Sequence, residues 1–130
     1  MLKKLTPNLM VEDVGRTLDF YRDVLGFQVL TTVPPDQPPF NWGMVSRDGV
    51  ELMFQVRASL GADIPALANA PIGASQTFYI EVEDIDALYA AIKGRVEIVQ
   101  DMHTTFYDTR EFAFRDVNGY ILAFSQAASS

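Results

Sequence analysis

A repeat within the sequence constrains the fold of this chain more than any other feature. The residues at positions 11–14, VEDV, recur as VEDI at positions 82–85, an offset of 82 − 11 = 71. Each copy is followed by large apolar residues spaced four, three and four positions apart, which is the spacing of one face of an α-helix. The chain is therefore predicted to fold as two copies of one supersecondary unit.

The residues that flank each apolar stripe are typical of helix ends. Asp13 and Asp84 lie where an N-cap residue accepts hydrogen bonds from the first turn. Gly26 and Gly94 lie where a glycine in the left-handed conformation ends a helix. Each copy is therefore predicted to contain one helix.

Alternating apolar residues predict one strand before each helix and three strands after it. The predicted strands are Leu5–Val11, Phe27–Val33, Trp42–Arg47, Val50–Val56, Thr77–Val82, Val96–Gln100, Glu111–Arg115 and Tyr120–Ser125. Four prolines at positions 34–40 predict a loop, because proline cannot donate to a strand ladder. We expect an α+β (mixed α/β) fold in a single domain over 1–130, with βαβββ units at 1–56 and 75–126. A link at 57–74 has room for one short helix, and 127–130 form a tail.

Composition narrows the classes of function. With 130 residues, 48% of them hydrophobic, the chain has the size and apolar content of one globular domain. It contains no cysteine, which excludes disulfides and thiolate metal ligands. There is neither a signal-peptide core nor an apolar run of about 20 residues, so we expect a cytoplasmic protein with no membrane partner. The net charge of −7 argues against nucleic acid as a partner. It would attract a cationic ligand, although an acidic surface also serves solubility.

Side-chain alternation along the strands predicts a second, mixed face on each sheet. In the first strand, Leu5, Leu9 and Val11 form the apolar row that a helix would cover. The alternate positions combine polar and apolar residues, as ligand-binding surfaces do. A partly solvated or dimer-facing sheet has the same pattern.

Two segments carry a resemblance to a known family. LTPNLMVEDVGRTLDFYRDVLGF at 5–27 resembles the first strand and helix of the vicinal oxygen chelate superfamily, and REFAFRDVNGYILAF at 110–124 resembles its last hairpin. This superfamily includes glyoxalases, bleomycin-resistance proteins and extradiol dioxygenases. The resemblance implies two βαβββ units whose sheets curl around a shared cavity, often completed in a homodimer.

The resemblance also places four positions where relatives bind a metal ion. In metal-using members the ligands come from the first and last strands of each unit, and here these positions hold Thr6, Met53, Thr77 and Ala123. None of these side chains is a usual ligand of a divalent first-row metal. We therefore expect no metal cofactor, the alternative being a divalent ion such as Zn, Ni, Fe or Mn in an atypical site.

Glu51 and His103 are the candidate catalytic residues. An ungapped match to the family would place Glu51 at a ligand position, where it would act as a binding group or general base; the alternative is an exposed strand carboxylate. His103 is predicted in a loop after the second strand of the second unit, with Glu111, Tyr107 or Asp108 as its partner. The alternative is a loop histidine that caps backbone groups.

Other residues are predicted to contact a ligand. Arg110 could anchor a carboxylate or phosphate, or form an ion pair with Asp108 or Glu111. Trp42, directly after the proline-rich loop, is the preferred stacking residue. The full predicted ligand-binding set is Asn8, Trp42, Glu51, Met53, Gln55, Tyr79, His103, Tyr107 and Arg110.

These observations predict a metal-independent protein that binds a small molecule in a cavity between its two units or at a homodimer interface. The contrasting hypothesis is an enzyme. It would be a lyase or isomerase using Glu51 and His103 as an acid–base pair, or a dioxygenase-type member with an atypical metal site. A third hypothesis is a scaffold whose cavity is vestigial. A homodimer is expected, because a curled sheet of this size leaves edges and apolar surface uncovered.

Overall fold

Two four-stranded sheets, one in each half of the chain, carry the fold in the computed structural model, which describes residues 1–73 and 75–128. Residue 74 of the predicted link and residues 129–130 of the predicted tail lie outside this description. Unit 1 is Met1–Ile72 and unit 2 is Gly73–Ser130. The predicted α+β class and paired βαβββ units are confirmed.

The elements of the two units follow the same order. Unit 1 contains β1 Asn8–Val11, α1 Val14–Asp23, β2 Gln28–Val33, β3 Trp42–Arg47, β4 Val50–Val56, α2 Arg57–Asp63 and a 3₁₀ turn Pro65–Leu67. Unit 2 contains β5 Thr77–Glu81, α3 Ile85–Ile92, β6 Glu97–Thr104, β7 Thr109–Arg115 and β8 Ile121–Ala127. The sheets have the orders β1-β4-β3-β2 and β5-β8-β7-β6. In both, the first strand pairs in parallel with the last, and the other pairs are antiparallel.

The helices end as their sequences require, with one exception. Asp13 accepts a hydrogen bond from the Arg16 amide at 3.0 Å, and Asp84 accepts one from the Ala87 amide at 3.4 Å, so both N-caps are present. Gly26 adopts a φ of +73°, as predicted. The prediction for Gly94 is wrong, because it does not adopt a positive φ.

Each unit buries its own aromatic core beneath its main helix. In unit 1, Tyr21 of α1 is fully buried and its ring centroid lies 4.8 Å from that of Phe54 on β4. In unit 2, the rings of Phe112, Phe114 and Phe124 pack together with centroids 5.3 to 6.0 Å apart. Burying a phenylalanine side chain contributes about 1.5–3 kcal/mol, so these rings supply much of the hydrophobic stabilisation. Of the predicted helix-covered row of the first strand, Leu9 and Val11 are buried in this core.

Two predictions from the strand patterns need correction. β1 begins at Asn8, and Leu5 is 84% exposed and outside the core. β6 continues to Thr104, which places His103 in a strand and not in a loop. The short helix for which the link has room is present as α2, followed by a 3₁₀ turn, and α2 packs on β4 and β1. Among residues 1–73 and 75–128, no helix is long and apolar enough to span a bilayer.

Candidate functional site

A buried carboxylate with four hydroxyl partners lies on the face of the unit 2 sheet that α3 does not cover. Glu111 Oε2 accepts hydrogen bonds from Tyr79 Oη at 2.5 Å, Thr109 Oγ1 at 2.9 Å and Ser125 Oγ at 3.0 Å. Tyr107 Oη lies 3.2 Å from both carboxylate oxygens. We call these five residues the Glu111 cluster.

The strand register brings the cluster together. Glu111 on β7 pairs with Ser125 on β8, and Ser125 pairs with Glu81 on β5, two residues after Tyr79. Side chains two residues apart share a face, so Tyr79 and Glu111 reach each other across β8. Tyr79 Oη also lies 2.8 Å from Ser125 Oγ.

The cluster favours the ionised form of Glu111, whose residue is only 8% exposed. Burial alone would raise the pKa of this carboxyl, but the hydrogen bonds from Tyr79, Thr109, Ser125 and Tyr107 outweigh burial and leave the pKa below the usual glutamate value. The same carboxylate raises the pKa of the Tyr79 phenol. Glu111 is thus an anion at neutral pH, and Tyr79 is a neutral donor.

A tight turn holds Tyr107 against the cluster. The Thr105 hydroxyl accepts a hydrogen bond from the Thr109 amide at 3.0 Å, which closes the turn between β6 and β7. Asp108 adopts a φ of +66°, a conformation that favours glycine.

His103 lies beside Glu111 but does not hydrogen-bond to it in the part of the chain described. The two residues are cross-strand partners between β6 and β7, on the same sheet face. The His103 Nδ1 atom lies 2.8 Å from the Asp101 carbonyl oxygen. Since a carbonyl only accepts, Nδ1 carries the proton in this contact, and Nε2 is the ring nitrogen that takes no part in it. The register thus brings together His103 and one of its predicted partners, while the ring also bonds to the backbone.

Arg110 does not join the cluster. It is adjacent to Glu111 along β7 and so lies on the opposite face, where its guanidinium contacts Asp86 of α3 at 3.3 Å. Neither of the ion-pair partners expected from the sequence, Asp108 and Glu111, is the one observed. Arg110 is therefore part of the helix-covered side of the sheet.

The predicted ligand-binding residues of unit 1 share one sheet face. The register pairs Trp42 with Gln55, and Asn8 with Met53. Glu51 lies on the same face of β4, and its carboxylate forms an ion pair with Lys4. Glu51 is therefore a half-buried, paired carboxylate.

Gln55 connects this face to helix α2. Its side chain is buried, and its Oε1 accepts from Asn8 Nδ2 at 2.8 Å. Its Nε2 donates to Ser59 Oγ at 2.8 Å and to Asp63 Oδ2 at 2.9 Å. Both amide protons of Gln55 point at α2, so its oxygen must accept from the side-chain amide of Asn8. The Oδ1 atom of Asn8 then remains as a hydrogen-bond acceptor.

A separate surface cavity of about 450 Å³ occurs in unit 1. Its lining residues are Glu12, Val56, Arg57, Ala58, Gly61 and Ala68. Arg57 donates to the carbonyls of Ala68 and Ala70, so its charge holds the segment after α2 in place. None of the residues predicted to bind a ligand lines this cavity.

The family's metal positions do not fit a metal ion in this chain. They hold two hydroxyls, a thioether and a methyl group, at Thr6, Thr77, Met53 and Ala123. In unit 2, Glu111 is a single carboxylate among hydroxyl groups, which is not a ligand set that a divalent first-row metal prefers. Across residues 1–73 and 75–128, no three His, Asp or Glu side chains group as a metal site would require.

Comparison with known proteins identifies the family. Residues 5–124 match the family model for the Glyoxalase/Bleomycin resistance protein/Dioxygenase superfamily, and the chain belongs to this family. No curated protein matches.

Solved structures agree on the fold. A member of the same superfamily from Sphaerobacter thermophilus DSM 20745 has 18% identity, with 97% of this chain and 98% of that chain covered and a TM-score of 0.79. A protein of unknown function from Agrobacterium tumefaciens str. C58 has 23% identity, coverage of 97% and 94%, and a TM-score of 0.78. TioX from Micromonospora sp. ML1 has 18% identity, coverage of 96% and 98%, and a TM-score of 0.75.

The sequence did not reveal the centre of the unit 2 cluster. Sequence reasoning offers Glu111 only as a partner of His103 or of Arg110, and it offers neither Thr109 nor Ser125 as a site residue. The available signal was the repeat itself, because Tyr79 and Ser125 occupy the positions of Asn8 and Gln55 in unit 1. A hydrogen-bonded polar pair in one unit predicts a polar pair at the same place in the other.

Proposed function

We propose that this chain is a metal-independent binding protein for a small organic molecule, and that the Glu111 cluster is part of its binding site. The observation that carries this proposal is a buried anion held by four hydroxyls on a sheet face without a helix. A carboxylate already fixed by neighbours presents its charge to a ligand with little reorganisation, which favours binding.

The surroundings of the cluster support binding of an organic ligand. Tyr79 and Tyr107 are each 52% exposed, although their hydroxyls are held by Glu111. Half-exposed tyrosines with fixed hydroxyls offer aromatic contact area at a low cost in conformational entropy. His103 adds a ring nitrogen on the neighbouring strand.

The acid–base hypothesis based on Glu51 and His103 receives less support. The Glu51 carboxylate is already engaged in an ion pair with Lys4. His103 has Glu111 as its cross-strand neighbour, and Glu51 belongs to the other unit. Within residues 1–73 and 75–128, no contact favours a proton-transfer reaction over binding.

Metal analysis tests the metal-independent part of the proposal. Protein purified without a histidine tag is incubated with Ni²⁺, Zn²⁺, Mn²⁺ or Fe²⁺, exchanged into buffer and analysed by mass spectrometry. We expect far less than one equivalent of any ion to remain. Near-stoichiometric retention of one ion would contradict the proposal.

A thermal-shift screen tests the binding part. A ligand that binds only the folded state raises the melting temperature, and the stabilisation grows with the logarithm of its concentration once that exceeds Kd. We expect one chemical class in a broad small-molecule library to stabilise the wild-type protein. No shift with any compound would favour the vestigial scaffold instead.

A homodimer also forms part of the proposal. β2 and β6 are edge strands, and they expose large aliphatic side chains at Leu30, Val33 and Val99. Exposed apolar edges promote pairing with another chain. Light scattering at micromolar concentration should give twice the chain mass, and a monomer mass would contradict this expectation.

A further inference from the structure

We propose that the Glu111 cluster binds the ammonium group of an organic cation, with Glu111 as the countercharge and Tyr79 and Tyr107 flanking the ligand. This inference rests on the proposed function and narrows it, because it names the chemical class of the ligand. It concerns residues outside the four positions at which relatives bind metal ions.

Glu111 is a buried anion with no cationic side chain beside it among the described residues. In the described part of the chain, no Lys, Arg or His nitrogen lies within 4.0 Å of its oxygens. The arginines on either side along β7 are paired elsewhere, Arg110 with Asp86 and Arg115 with Glu97. Buried charges in proteins are normally paired, because hydroxyl donors solvate an anion but do not neutralise it. A ligand cation would complete the pair.

One oxygen of the Glu111 carboxylate, Oε1, retains room for a further hydrogen-bond donor. A carboxylate has about four lone-pair positions. Oε2 accepts from Tyr79, Thr109 and Ser125, whereas Oε1 has only the Tyr107 hydroxyl, which is 3.2 Å from both oxygens. A charged N–H donor forms the strongest hydrogen bond at such an acceptor, and an anionic ligand would be repelled.

Two tyrosine rings form an aromatic surface beside the Glu111 carboxylate. Tyr79 and Tyr107 come from different strands or turns, and both hydroxyls contact the same carboxylate. Their rings are therefore fixed close to the anion and remain half exposed. Aromatic faces attract cations, and a ring next to a carboxylate gives an ammonium group two favourable contacts.

The overall charge agrees with this assignment. The net charge of −7 attracts cations at long range and raises their local concentration. The same charge disfavours an anionic ligand. His103 lies on the neighbouring strand with Nδ1 donating to the Asp101 carbonyl, so Nε2 is the ring nitrogen left to contact a ligand.

The test compares a cation with its neutral counterpart on the full chain. The probes are 2-phenylethylammonium chloride and 2-phenylethanol, which share a ring and chain length and differ in the charged nitrogen. Amide resonances are followed by two-dimensional NMR during each titration. We expect saturable shifts at residues 79, 107 and 111 with the ammonium probe and binding at least about tenfold weaker with the alcohol.

Three variants test which side chains contribute to the affinity for the ammonium probe. Glu111→Gln should weaken ammonium binding at least about tenfold, because it removes a charge-assisted hydrogen bond. Tyr107→Leu keeps the carboxylate and should weaken binding about threefold, since it removes one aromatic face. Asp86→Asn removes a carboxylate from the helix-covered side and should leave ammonium binding unchanged. If Glu111→Gln fails to fold, Tyr107→Leu and Asp86→Asn still show whether ammonium binding arises at the Glu111 cluster or from the overall negative charge of the protein.

Each outcome has a distinct meaning. Equal affinity for the alcohol, or ammonium binding that persists in Glu111→Gln, would overturn the cation assignment while leaving small-molecule binding intact. Shifts confined to other residues, or no shifts with either probe, would also overturn it. Failure of the proposed function would appear separately, as a retained metal ion or a compound library without any stabilising member.

Discussion

Replacing Glu111 by glutamine perturbs the unit 2 cluster with almost no change in side-chain volume. Hydrogen bonds to a charged acceptor contribute about 1.5–3 kcal/mol and those to a neutral one about 0.5–1.5 kcal/mol. The glutamine oxygen can still accept from Tyr79, Thr109 and Ser125, but Tyr107 then faces an amide donor. The lower cost of burying a neutral group offsets part of the loss. We expect Glu111→Gln to lower the free energy of unfolding by about 1–3 kcal/mol at pH 7.

The effect should depend on pH with a defined sign. The pKa of Glu111 is lower in the folded protein than the usual value of about 4.3. Such a group contributes stability that is fully present above its unfolded pKa and is lost as the pH falls through its folded pKa. The difference between wild type and Glu111→Gln should therefore be constant above about pH 5.5 and shrink below about pH 4.

Urea unfolding followed by circular dichroism, at several pH values, measures this difference. The control is Glu97→Gln, which removes an exposed carboxylate paired with Arg115 and should cost less than about 1 kcal/mol. Equal losses in both variants, or a Glu111→Gln effect that grows as the pH falls, would refute the hydrogen-bonding account of the cluster.

Three further substitutions test the packing and capping described above. Gly43→Ala should cost about 1–3 kcal/mol in urea unfolding, because the new Cβ would lie 3.1 Å from Leu18 of α1; wild-type stability would show that α1 moves freely away from β3. Asp13→Ala should lower the melting temperature by removing the α1 N-cap, a loss of about 1 kcal/mol, and an unchanged melting temperature would exclude this role. Gln55→Leu should cost about 1–2 kcal/mol by chemical denaturation, since Asp63 loses its donor, and a stabilised variant would contradict the bond to α2.

The repeat predicted the architecture because helices and strands follow local patterns. The apolar stripe after Asp13 has the four, three and four spacing of one helix face, and all its members in α1 are buried. The strand beginning at Leu5 was predicted too long because the alternation continued through Pro7, which has no amide proton for the ladder. Gly94 was assigned from residue type alone, and its helix ends without the left-handed conformation.

The candidate site was less predictable because its register is irregular. β6 pairs with β7 through two register shifts, between Ile98 and Gln100 and between Gln100 and His103. Such shifts reverse the side-chain alternation, so spacing alone could not place His103 beside Glu111. In β7, Glu111 is followed by Phe112, Ala113 and Phe114, which are all buried. Consecutive buried residues show no apolar–polar alternation, so the sequence does not indicate which face of the sheet Glu111 occupies.

The equivalent polar pairs of the two units have a consequence for how such chains diversify. Asn8 and Gln55 in one unit, and Tyr79 and Ser125 in the other, join the first strand to the last through side chains alone. The backbone ladder between those strands is parallel in both units and does not involve these groups. New recognition chemistry can therefore evolve at one pair while the duplicated scaffold and the other pair stay unaltered.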